Sequence, residues 1–167
     1  MVSAMTVPSL MQNHQRKTYV TQLHKVYTEF SQALIRYQTD KYAVNLTEAG
    51  LSSQGNFDAF VSDYFKTVQK CDNSLTPCFS DDYKTLNGGG VNFHNGTSYV
   101  LASGSSIRFI LNVGGDKIGQ VGIDINGKQG PNILGRDLFF IAVYKNGILD
   151  DFNDGTAPLT EDERNSI

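Results

Sequence analysis

The apolar residues Val20, Leu23, Tyr27, Phe30, Leu34 and Tyr37 follow one another in steps of three and four, inside a stretch with no clear helix stop before Asn45–Gly50. That spacing puts them on one face of an α-helix, with Thr21, Gln22, Lys25, Glu29, Gln32 and Arg36 on the others. At ~1.5 Å per residue the segment from Met1 to Val44 would reach on the order of 60 Å. A periodic run of that length exceeds an ordinary globular helix. Pro8 falls within it and predicts a kink, not a stop, because apolar periodicity resumes beyond it. Met1 to Asn13 (MVSAMTVPSLMQN) carry no charge, and His14, Arg16 and Lys17 then arrive together. The expected arrangement is a long N-terminal helix over residues 1–50, its first half protruding and its second half packed on a domain.

Beyond that helix the chain is expected to hold a globular head over residues 51–153 and a loose, acidic tail over 154–167 (DGTAPLTEDERNSI). A short amphipathic helix is predicted from Asn56 to Lys70, with Phe57, Phe60, Val61, Tyr64, Phe65 and Val68 at helical spacing. Four Asn-Gly pairs then punctuate the sequence, at Asn87-Gly88, Asn95-Gly96, Asn126-Gly127 and Asn146-Gly147. Asn-Gly favours type I′ hairpin turns, since both residues tolerate positive φ. The strands expected around them are Val91–His94, Ser98–Ala102, Ile107–Val113, Gly119–Ile125, Leu138–Tyr144 and Ile148–Phe152. Helices followed by strands indicate an α+β fold with an antiparallel sheet. The helix stripe from Val20 to Tyr37 is the natural cover for one face of that sheet.

Several function classes are disfavoured by composition and spacing. A net charge of −3 argues against a sequence-independent nucleic-acid surface, which needs Lys and Arg clustered over a whole face. The only cysteines, Cys71 and Cys78, form no CxxC pair, and His14, His24 and His94 are scattered, so zinc-ligand spacing is poor. The two cysteines predict a disulfide if the chain is exported, or two small buried thiols if it is not. The charge-free start falls short of the ~20 apolar residues that a spanning helix needs. It also lacks a preceding basic region and a small-residue cleavage site.

Local motifs that suggest chemistry have plainer structural readings. Asp124 and Asn126 stand two apart before Gly127, as at the opening of a calcium loop, but no carboxylate follows at EF-hand spacing and the Asn-Gly turn explains the pair. No metal or cofactor is therefore expected, with calcium as the alternative. Gly104-Ser105-Ser106 lacks the strand–turn–helix setting of a nucleophile elbow, and Gly88-Gly89-Gly90 lacks the Lys-Ser or Lys-Thr of a phosphate loop. Arg136 and Asp137 are expected to form an ion pair that pins the connection from Gly130 to Gly135. No catalytic residue is assigned. His14, Arg16 and Lys17 read as an interfacial anchor beside an apolar helix.

Two stretches resemble the type IV pilin and type II secretion pseudopilin superfamily. The first, VSAMTVPSLMQNHQRKTYVTQLHKVYTEFSQAL, is similar to the end of the pilin transmembrane helix, with its small residues, helix proline and polar amphipathic second half. The second, Val121 to Leu149 (VGIDINGKQGPNILGRDLFFIAVYKNGIL), resembles a segment of bacterial proteins that carry the prepilin cleavage and methylation signal. Asp124, Asn126, Gly127, Gly130, Pro131, Asn132, Gly135, Arg136 and Asp137 carry that match. The family's basic leader, Gly-type cleavage site, aromatic first mature residue and nearby glutamate are not in this sequence. The resemblance thus implies an N-terminally truncated pilin-like chain, soluble in this form.

The same resemblance implies a structural subunit of a pilus or pseudopilus, not an enzyme. Its partners would be other pilin-like subunits and, for the precursor, the bacterial inner membrane, before assembly into a periplasmic or cell-surface filament. No nucleic-acid partner is expected. The alternatives are an exported ligand-binding or hydrolytic domain, which needs a pocket with convergent polar groups, and a minor pilin for adhesion or DNA uptake.

Overall fold

In the computed structural model, which describes residues 3–153 and 155–167 with side chains from Leu10 onward, a single helix α1 runs from Ser3–Asp40. It passes through Pro8 without a stop; the side chains of Val7 and Pro8 lie outside what the structure describes. α1 ends earlier than the expected 45–50. Tyr42 takes a left-handed φ of 51°, its N–H donates to Thr39 O, and the N–H of Ala43 reaches back to Gln38 O at 3.2 Å. That pair of bonds caps the last carbonyls of the helix, a role usually given to glycine.

Helix α2 (Gln54–Tyr64) is capped by the Ser53 hydroxyl, which accepts from Asn56 N–H. It is shorter than Asn56–Lys70 would allow. Phe65 is extended (φ −120°, ψ 148°) and the following residues, Thr67–Lys70, leave the helix to form strand β1. The gain is a ladder on β2 (Thr97–Leu101), to which β1 pairs antiparallel.

The remaining strands are β3 (Ser106–Gly114), β4 (Lys117–Asp124), β5 (Leu138–Tyr144) and β6 (Leu149–Asp150). All six pair in sequence order as one antiparallel meander. The chain is thus α+β, with a long N-terminal helix against an antiparallel sheet. Among the described residues, Val91–His94 form no strand: they lie across the sheet as a cover, with Phe93 against Phe79, Tyr83 and Phe140.

Asn87-Gly88 lies in the turn between Lys84 and Gly90, which bridge antiparallel, and among the connections of the named strands Asn146-Gly147 closes a tight hairpin, between β5 and β6. Its glycine alone has positive φ (85°), so the turn is not type I′. Asn126-Gly127 opens the long β4–β5 connection, and Gly96 is demanded by close packing, since a Cβ there would lie 2.4 Å from Phe109 O.

The sheet is covered on both faces. On one, Phe30, Leu34 and Val26 of α1 and Phe57 and Phe60 of α2 pack on Phe109, Val121, Ile123 and Val143. Phe30 is fully buried, with ring centroids 5.1 Å from Phe65, 5.5 Å from Phe109 and 5.9 Å from Phe60. Burial of a side chain of this size contributes about 1.5–3 kcal/mol. The opposite face carries Leu138 and Phe140 beneath Cys78, Phe79 and Tyr83, and Ala142 and Tyr144 beneath Ala157.

The inward stripe differs from the expected one at two of its six positions. Leu23, Phe30, Leu34 and Tyr37 do pack inward, but Val20 is 54% exposed and Tyr27 37% exposed, while Tyr19 and Val26 take their places. Tyr27 lies at the margin and donates its hydroxyl to Leu149 O at 3.2 Å.

The tail is also ordered differently from the expectation. Ala157 and Leu159 are buried, and a short helix α3 (Glu161–Asn165) starts at a capping box between Thr160 and Glu163. Arg164 fixes it to β6 through both carboxylate oxygens of Asp150. Burial pushes the Asp150 carboxyl up, but hydrogen bonds from Arg164 and from the Leu159 and Asp151 N–H groups outweigh it and hold the group below its ordinary range.

Candidate functional site

The segment from Asp124 to Asp137 folds into a buried polar cluster at the end of β4. Asp124 closes that strand opposite Ser106 and Leu138, and its side chain is wholly buried. Its Oδ2 accepts a 2.5 Å hydrogen bond from Tyr83, and its Oδ1 accepts from Asn126 N–H at 3.2 Å. Burial is the main reason its carboxyl is pushed up to about 7, with the Asp137 charge adding to the rise and the Tyr83 and Asn126 donors opposing it. The Tyr83 phenol is pushed up as well, by burial first and by its bond to Asp124 second.

Asp137 is equally buried and acts as a clamp on the backbone of its own connection. Its two oxygens accept from Asn132 N–H at 2.8 Å and Ile133 N–H at 2.7 Å. Those bonds hold Asn132 at a left-handed φ of 58°, directly after Pro131. The Asn126 side chain spans the same loop by donating to Gly130 O at 3.2 Å. Gly127 also has positive φ, and a Cβ there would lie 3.0 Å from Gly104 O.

Asp124, Asn126, Gly127, Gly130, Asn132 and Asp137 are therefore brought together, and Arg136 is not. The expected ion pair between Arg136 and Asp137 does not form. The carboxylate turns inward to the N–H groups, because satisfying buried backbone donors outweighs one exposed ion pair. Arg136 is exposed and lines a groove along α1.

This cluster is built to hold structure. Both carboxylates are out of reach of solvent and already engaged by N–H or O–H donors, so neither is placed to exchange protons with a substrate. Among the described residues, no group of three or more His, Cys, Asp or Glu side chains is arranged to hold a metal. The amide oxygens of Asn126 and Asn132 are buried without a hydrogen-bond partner.

A second buried polar group sits under the disulfide loop. Cys71 and Cys78 are bonded, closing the connection from β1. Arg108 on β3 gathers it from below, donating to Asn73 O and Oδ1, to His94 O and to the Ser98 hydroxyl at 2.7–3.1 Å. Burial lowers its guanidinium from the ordinary range. The 71–96 loop thus gains internal partners without regular secondary structure.

Neither Tyr83 nor Arg108 is marked in the sequence. Each finds its partners across tens of residues, and no local periodicity announces such a bond.

The most exposed element is the start of α1. Every described side chain from Leu10 to Thr18 is exposed, including Leu10 at 65% and Met11 at 60%, and His14, Arg16 and Lys17 share that stretch. No helix among the described residues is long and apolar enough to cross a membrane. Leu10, Met11, His14 and Gln15 line a shallow apolar depression on it.

No family model, curated protein or solved structure matches this chain.

Proposed function

We propose that this protein is a non-enzymatic filament subunit of the pilin or pseudopilin type, assembling through its long helix. One observation carries the reading: α1 is a single helix of 38 residues whose described side chains from Leu10 to Thr18 are all exposed, the first to be covered being Tyr19. Propensity alone rarely sustains a helix with no tertiary packing. The exposed start, with Leu10 and Met11 outward, is the part for which partner helices are needed.

In this reading, helices from many copies bury their apolar starts together, Leu10 and Met11 among them, and repeated heterologous contacts build an open filament because the rotation between copies does not close. The sheet domain stays outside and carries adhesion, substrate or partner specificity. The Asp124–Asp137 cluster then serves to hold the outer loops rigid. The precursor would anchor in the bacterial inner membrane through a segment continuous with α1, and the filament would stand in the periplasm or at the cell surface.

Gene deletion tests it. Loss of piliation, twitching, adhesion, DNA uptake or type II secretion is expected, with restoration by the full-length gene and not by an exported copy of Met1–Ile167. Rescue by that exported copy would favour a freestanding binding domain or enzyme and overturn the reading.

A further inference from the structure

A groove of about 580 Å³ runs between α1 and the loop that precedes β5. Its apolar surface is formed by Tyr19, Leu23, Phe139 and the 70% exposed Leu86, and Arg16 and Arg136 flank it. Neither arginine has an anionic side chain within ion-pair distance among the described residues, and no acidic residue lines the groove. Two unpaired guanidinium groups beside an apolar strip fit an acidic segment that also brings a hydrophobic side chain.

The other end of the chain has that composition. Asp150, Asp151, Asp154, Glu161, Asp162 and Glu163 fall within one short stretch of sequence, against the single cation Arg164. Glu161 and Asp162 are exposed on α3, and Ile167, just beyond, is 60% exposed. The capping box and the Arg164–Asp150 pair fix α3 to β6 of its own molecule. Glu161 and Asp162 are thereby offered to a neighbour while Asp150 and Glu163 are kept at home.

We propose that the Arg16–Arg136 groove receives the acidic α3 segment of a second copy of this chain, Glu161 and Asp162 meeting the two arginines and Ile167 covering the apolar strip. The contact is heterologous, groove to tail, so it propagates instead of closing into a symmetric dimer. It rests on the filament reading and names a groove-to-tail contact for it, additional to helix burial. Being carried by exposed charge, it weakens as salt rises.

Sedimentation of the 167-residue chain at low and at high ionic strength, with paired charge reversals, tests the contact. Wild-type protein should self-associate at low salt. Arg16→Glu with Arg136→Glu in one variant, and Glu161→Lys with Asp162→Lys in another, should each weaken that at least tenfold. Mixing the two variants should restore association, as assemblies in which the two alternate in equal amounts. All four positions are exposed, and unchanged thermal melts confirm that both variants fold. Monomeric wild-type protein at every concentration, association indifferent to both reversals, or failure of the mixture to recover it would overturn the contact. So would salt-sensitive flotation of a monomeric chain with phosphatidylglycerol vesicles, lost on reversing the arginines, since the groove would then be a membrane-surface site. Full complementation of the deletion strain by full-length Arg16→Glu/Arg136→Glu protein would remove this contact and leave the filament reading standing, whereas a deletion without any filament phenotype would remove that reading itself.

Discussion

The Tyr83 phenol donates a 2.5 Å hydrogen bond to Asp124 Oδ2 across 41 positions of chain, joining the loop over one sheet face to the end of β4. The bond couples two parts of the head that share no secondary structure. It also places a carboxyl with a raised proton affinity at the point where they meet.

Stability should therefore fall as the solution passes from mildly acidic to mildly alkaline. The Asp124 carboxyl is raised to about 7 in the folded protein, from an ordinary value of 3.8. A raised group contributes stability in full below its unfolded value and loses it as pH climbs through the folded one. Between pH 4 and pH 8 the contribution lost is at most about 4 kcal/mol, at 1.36 kcal/mol per unit. Denaturant titrations across that range should show the decline in wild type and a flatter profile in Asp124→Asn. A wild-type profile that rises through pH 7 would contradict the assignment.

Removing the donor separates the bond from the charge. Tyr83→Phe leaves Asp124 buried with one oxygen unsatisfied and should cost about 1–3 kcal/mol. Because the Tyr83 donor opposes the rise in the Asp124 value, the pH-dependent loss should move to higher pH in this variant. Equal stability and an unshifted profile would mean the bond is absent in solution.

The inward face of α1 can be read by paired substitutions. Phe30→Ala should cost roughly 3–5 kcal/mol and Val26→Ala roughly 2 kcal/mol, since both side chains are buried. Val20→Ala and Leu10→Ser should stay within about 0.5 kcal/mol. Chemical denaturation of the four variants decides it, and equal losses at Val20 and Val26 would return the stripe to its expected face.

Periodicity announced that helix and most of its inward face but not which of two neighbours turns inward at Tyr19/Val20 and Val26/Tyr27, and the reason is visible in the residues. Tyr19 beside Val20, Val26 beside Tyr27 and Ala33 beside Leu34 give two adjacent apolar ridges, so either ridge satisfies a three-four pattern. The choice is made by Phe109 and the aromatic side chains of α2, which are distant in sequence. Strands β3, β4 and β5 were legible because their runs are long and bounded by glycines. Thr67–Lys70 was not, since Phe65 and Val68 continue a helical spacing and only pairing with β2 draws the chain out. Asp124 and Asp137 could be marked as a polar motif, but their partners, the Tyr83 hydroxyl and two backbone N–H groups, follow from long-range packing and loop geometry.

The disulfide has a short loop, so chain entropy gives it about 2 to 3 kcal/mol of stabilisation. Intact mass with and without reductant should differ by two hydrogen atoms, and reduction should lower the denaturation midpoint accordingly. Two freely alkylated thiols in protein from an oxidising compartment would contradict the bond between Cys71 and Cys78.

Helix-mediated assembly requires the exposed stretch of α1 from Leu10 to Thr18 to touch neighbouring copies in the cell. A photo-crosslinking side chain placed at Leu10 of the full-length protein, irradiated in living cells, reports this directly. Adducts between copies of this chain are expected, running as a ladder of multiples and enriched in the sheared filament or pseudopilus fraction. Irradiated protein that remains a monomer, or that links only to lipid or to the head of its own chain, would contradict helix-mediated assembly.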